Sequence, residues 1–296
     1  MSDGRGVAVI AESGAVADPA ATAADAFGAP GAPALPVSPA AVAIAPATAV
    51  TPDGWSDLRR HTPARIALGR AGASLPTAEV LRLGLAHARA RDAVQLPLDA
   101  DAVDAALRRA GFATLRAESA APDRAVYLLR PDLGRRLSER ADAALRGCGV
   151  PPCDLLLVIG DGLSSLGVAR HAVPLAEAIR GTLPAGWTLG PVVVATQARV
   201  ALGDDIGAAL GARLVAVLIG ERPGLSSPDS LGVYLTRAPR RGRSDAERNC
   251  VSNIRPEGLG VEAAARKVAW LCEEAECIGA TGVQLKDRSD VHLVKD

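Results

Sequence analysis

Net charge is missing from this sequence: 33 lysines and arginines balance 33 aspartates and glutamates across 296 residues. The broad positive field that selects DNA, RNA or an anionic membrane is therefore absent. Lysine is confined to Lys267, Lys286 and Lys295, and arginine supplies the other cations; with abundant alanine, this reads as a GC-rich coding bias. Cysteine is sparse. Cys148, Cys153, Cys250, Cys272 and Cys277 form an odd set with no C-x-x-C pair, which argues against a zinc ribbon and for free thiols in a reducing cytoplasm. No apolar run is long enough to span a bilayer, and the N-terminus lacks a basic segment followed by a compact apolar one. Neither membrane insertion nor secretion is expected. A Ser–His–acid set and a pair of catalytic carboxylates are also missing from the expected loops. The chain reads as a binder without its own reaction centre.

What is present divides into three stretches. Residues 1–52 are dominated by Ala, Pro, Val and Gly, with proline too frequent for a helix and little aromatic anchoring, and read as a flexible, disordered tail. Within it, residues 6–11 offer a short apolar motif that could dock when tethered. Residues 53–150 form a mainly helical region. The spacing predicts a helix over 77–91, with Thr77 as cap and Val80, Leu81, Leu83, Leu85 and Ala88 on one broad face. A second helix is expected over 101–110, a β-like segment over 125–129, and a helix capped by Asp132 that runs to about Gly147.

From 151 to 296 the pattern becomes strand and helix in alternation. After its opening aspartate the run D-L-L-L-V-I at 154–159 is continuously apolar, as suits a strand covered on both faces. Helices at 173–180 and 204–210, strands at 192–194 and 213–219, and a last helix over 261–277 complete the order. The predicted class is α/β: a Rossmann-like, mostly parallel sheet with flanking helices, preceded by the small helical region and the tail.

In such a sheet, ligands bind beyond the carboxyl ends of the strands. Three segments should converge there: 159–165 (I-G-D-G-L-S-S), 197–200 (Q-A-R-V) and 220–224 (G-E-R-P-G). In the first, two glycines allow close backbone approach, and Asp161, Ser164 and Ser165 can hydrogen-bond a ribose, phosphate or amide. The alternative is an ordinary tight turn, since neither G-x-G-x-x-G nor a P-loop ending is present. Glu221 beside Arg222 reads equally as a surface ion pair, and Cys250 as a small buried hydrophobe.

Five segments make a larger pattern: D-L-R-R-H-T-P-A-R-I-A-L-G-R-A-G at 57–72, Y-L-L-R-P-D-L-G-R-R-L at 127–137, D-G-L-S at 161–164, G-E-R-P-G-L at 220–225 and C-V-S-N-I at 250–254. In order, from about residue 55 to about 284, they closely resemble the small (light) subunit of ethanolamine ammonia-lyase. The resemblance implies a radical, adenosylcobalamin-dependent deamination of ethanolamine to acetaldehyde and ammonia. It implies a hetero-oligomer in which a TIM-barrel large subunit holds ethanolamine, the corrinoid lying between the two chains. The family's cobalamin contacts carry over onto Val200, Glu221 and Cys250, with a one-residue length difference between the last two. The 161–164 loop, with Asp161 and Ser164, is a further candidate for the nucleotide tail. Arg65, Arg70, Arg130, Arg135 and Arg136 could serve either the subunit interface or intrachain ion pairs. His61, His87, His171 and His292 are scattered, and none stands in the D-x-H-x-x-G arrangement that gives one class of cobalamin proteins an axial histidine. Members housed in bacterial microcompartments can begin with an amphipathic helix, whereas this leader shows no charged face. A stand-alone corrinoid or nucleotide carrier is the competing reading, and a structural interaction protein is a third.

Overall fold

The computed structural model describes residues 49–289. The tail expected over 1–52, with its docking motif, lies almost wholly outside the described residues, as does His292.

Six strands form one sheet in the order β1-β3-β2-β4-β5-β6. They are β1 (Thr114–Glu118), β2 (Leu155–Gly160), β3 (Val192–Thr196), β4 (Leu214–Gly220), β5 (Leu231–Arg237) and β6 (Asn249–Ile254). The first four in space run parallel, and β5 and β6 extend the sheet antiparallel. Every residue of β2 and β4 is buried, so the apolar runs at 154–159 and 213–219 are those of strands covered on both faces.

Alternate side chains divide between two cores. Leu155, Leu157 and Ile159 face α2 (Ala100–Arg109), α5 (Ser165–Thr182) and α7 (Val261–Ile278). Leu156, Val158, Val215 and Val217 face α4 (Glu139–Gly147) and α6 (Leu202–Ala209). The chain leaves β2 through α5 to reach β3 on one side, then crosses by α6 to β4 on the other. That reversal opens a crevice at the carboxyl ends of the central strands.

The region before residue 150 shares this sheet, since β1 pairs with β3 along its whole length. α1 (Thr77–Gln95) follows Pro76, which occupies the cap position, so Thr77 is the first helical residue and caps nothing. Its inward side is Glu79, Ala86 and Ala93, whereas Val80, Leu81 and Leu85 are exposed. Arg59 and Arg82 hold the buried Glu79 carboxylate, which turns the leucine-bearing side outward.

Two further expectations are corrected. Residues 125–129 are helical, not β-like: α3 spans Arg124–Leu129 because Asp123 caps it, accepting the Val126 N–H at 2.8 Å. Asp132 does not cap the helix to Gly147. Its carboxylate pairs with Arg130 at 2.8 Å, a 3-10 turn follows at Leu133–Arg135, and Ser138 caps α4 by accepting the Ala141 N–H at 3.1 Å. Among the described residues no helix is long and apolar enough to cross a membrane.

Candidate functional site

The loops after β2, β3 and β4 meet at the sheet's carboxyl edge. Gly162 has φ +57°, and a Cβ there would stand 2.2 Å from the Gly220 carbonyl oxygen; one on Gly220 would stand 2.0 Å from the Ser164 carbonyl oxygen. These glycines let two loops pack backbone against backbone, with the Leu163 N–H donating to Gly220 O at 2.9 Å.

Asp161 fastens the third loop. Its buried carboxylate accepts the backbone N–H groups of Gln197 at 3.0 Å and Ala198 at 2.8 Å, and pairs with Arg124 at 3.0 Å. Burial, the largest influence, raises the carboxyl above its ordinary value, while these donors and Arg124 pull it down. Gln197 takes a left-handed φ of +55° to present its N–H, a strained conformation for a residue with a side chain. Ser164 is fully buried; its oxygen caps α5 by accepting the Gly167 N–H at 3.1 Å and donates to Pro228 O at 2.8 Å. Asp161 and Ser164, offered by the sequence for a nucleotide tail, thus use their hydrogen-bonding groups inside the chain.

The resulting cleft has a volume of about 450 Å³, walled by Leu163, Val200, Ile219, Gly220, Glu221 and Tyr234 among others. Val200 and Glu221 therefore come together, as expected. Cys250 lies beside the cleft, directly opposite Tyr234 on the β5–β6 ladder. Glu221 is held in place: both carboxylate oxygens stand 3.2 Å from the Asn253 N–H, which Asn253 presents through a φ of +57°. Cys250 is exposed as a residue. Crowding at its sulfur nonetheless raises the thiol, an effect the Tyr234 hydroxyl opposes and Glu221 adds to.

Sequence reasoning missed Tyr127. It is fully buried between the guanidiniums of Arg124 and Arg199, 4.9 and 4.4 Å from the ring centre. Its hydroxyl lies 2.9 Å from both Gly162 O and Ala198 O, so one phenol ties together the loops after β2 and β3. The signal was Asp123, the cap that makes 124–129 helical. Of the arginines set aside, Arg65 donates to Leu225 O at 3.2 Å and Arg130 pairs within the chain.

Fold and cleft together define a doubly wound α/β protein with a crevice at its strand ends. Residues 52–286 match the family model for the ethanolamine ammonia-lyase light chain (EutC). The chain is 54% identical over 248 residues to the ethanolamine ammonia-lyase small subunit of Azotobacter vinelandii, covering 81% of this chain and 91% of that protein. With the Ralstonia nicotianae small subunit it shares 53% over 257 residues, or 84% and 94% of the two chains. With that of Rhodopseudomonas palustris it shares 56% over 234 residues, 79% and 90% of the two. The chain belongs to the ethanolamine ammonia-lyase light chain family.

Proposed function

We propose that this chain is the corrinoid-contacting small subunit of an adenosylcobalamin-dependent ethanolamine ammonia-lyase. It would act in the cytoplasm, in complex with a large subunit that binds ethanolamine. The observation that carries the reading is the placement of Val200 and Glu221 in one strand-end cleft, with Cys250 paired on the ladder to Tyr234 of its wall, in a chain of this family.

The residues suit a corrinoid. Val200, Leu163 and Ile219 offer apolar surface to a corrin face or edge, and the Glu221 carboxylate can accept from its peripheral amides. The Asn253 N–H, shared by both oxygens, pre-orients that carboxylate, so little ordering accompanies binding. Asp161 and Ser164 act as positioning residues that fix the loops carrying these contacts. A cleft of about 450 Å³ takes only part of so large a cofactor, which is the geometry of half a site completed by a second chain. When bound, the cofactor supplies radical chemistry; the chain supplies orientation and one wall.

Equilibrium dialysis of adenosylcobalamin against this chain, the large subunit and their complex tests the reading. Retention that requires both chains is expected, while full retention by this chain alone would make it a stand-alone carrier.

A further inference from the structure

A second cavity of about 560 Å³ adjoins the cleft, and Arg199 and Val200 belong to the walls of both. Its lining carries six guanidiniums, those of Arg135, Arg136, Arg199, Arg241, Arg243 and Arg248, against the carboxylates of Asp204, Asp205 and Asp245. Pairing consumes most of the negative charge. Asp204 is held by Arg248 at 2.6 and 2.8 Å, and Asp205 by Arg241 at 3.1 and 2.7 Å. Asp245 stands 3.4 Å from Arg248, mostly in solvent, and Arg243 pairs with Glu247 outside the cavity. Arg135, Arg136 and Arg199 form no ion pair among the described residues.

The fold brings the chain segments that carry these three cations to one cavity. The Arg199 N–H donates to Gly134 O at 2.8 Å, pinning the turn before Arg135 and Arg136 against the loop after β3. Only glycine fits at 134, because a Cβ would stand 2.9 Å from both the Arg199 stem and the Tyr127 ring. Arg199 is further clamped by its ring contact, yet its Nε is buried without a hydrogen-bond partner. A buried donor left unused is uncommon, and here it belongs to the wall shared by the two cavities.

Resting on the corrinoid reading above, we infer that Arg135, Arg136 and Arg199 form the receptor for a phosphate ester, namely the phosphodiester of the cobalamin nucleotide tail. Planar guanidiniums match phosphate oxygens with paired donors. A cavity that shares the wall residues Arg199 and Val200 with the cleft suits an anion covalently attached to the ligand in that cleft. Arg135 and Arg136 are exposed, so replacing them leaves the core intact.

The test compares cobalamin with cobinamide, the corrinoid lacking the nucleotide and its phosphate, in the complex of this chain with its large subunit. Wild-type complex should retain cobalamin in preference to cobinamide. The R135A/R136A pair should weaken cobalamin roughly tenfold to a hundredfold and leave cobinamide unchanged, and excess inorganic phosphate should compete with cobalamin alone. Equal weakening of both corrinoids, or of neither, would overturn the site. Loss of subunit association in the variant would overturn it too, by identifying a partner carboxylate as the occupant. Equal retention of the two corrinoids by the wild type would overturn the phosphate site while the corrinoid reading stood. Retention of neither would remove both.

Discussion

Glu221 is the residue on which the proposed corrinoid contact turns. Its carboxylate is fixed by the Asn253 N–H and lines the cleft beside Val200. Replacing it by alanine should lower cobalamin affinity of the assembled complex about tenfold without changing subunit association, as measured by equilibrium dialysis and gel filtration. Gly220 acts differently, through space alone. The 2.0 Å between its Cβ position and the Ser164 carbonyl leaves no room for a methyl group, and the opposing atom is backbone. Gly220→Ala should cost about 3 kcal/mol in denaturant unfolding.

At the level of elements, α6 is anchored to the antiparallel end of the sheet by the Asp204–Arg248 pair, in which both side chains are 2% exposed. Asp204→Ala leaves the buried guanidinium with only the exposed Asp245 carboxylate at 3.4 Å and should destabilise the fold by about 3 kcal/mol. Next to it, the turn into β6 is closed by a capping box. Ser244 donates its N–H to Glu247, and Arg243 and the Ser244 hydroxyl add to the effect, holding the carboxyl down to about 2. A depressed carboxyl contributes stability that is complete above about 4.5 and is lost as pH falls towards about 2. Thermal unfolding should therefore show Glu247→Gln with a shallower loss of Tm across that window than the wild type.

The same elements show what the sequence could reveal. β2 and β4 were legible because strands buried on both faces must be continuously apolar, and the three loops that follow β2, β3 and β4 were placed together by strand order alone. β5 and β6 were not. β6 reads N-C-V-S-N-I, with only Val251 and Ile254 buried, and nothing in so polar a stretch signals an antiparallel partner. α3 was misread because valine, tyrosine and leucine favour a strand, while the single Asp123 cap overrides them. Tyr127 and Gly134 stayed hidden for a related reason: their importance lies in contacts with Arg199, far along the chain.

For the whole molecule, the proposed function makes this chain one wall of a shared site. The cleft fixes a carboxylate and an apolar surface, the adjoining cavity gathers three guanidiniums that form no ion pair among the described residues, and the loops that carry them are locked by Asp161, Ser164 and Tyr127. Under the proposed function these features position a ligand, and the transformation is left to the cofactor and the large subunit. The most direct measurement is ethanolamine deamination by this chain, by the large subunit and by their mixture, each with adenosylcobalamin. The account predicts acetaldehyde and ammonia from the mixture and none from this chain alone; turnover by this chain alone, or full activity of the large subunit without it, would contradict it.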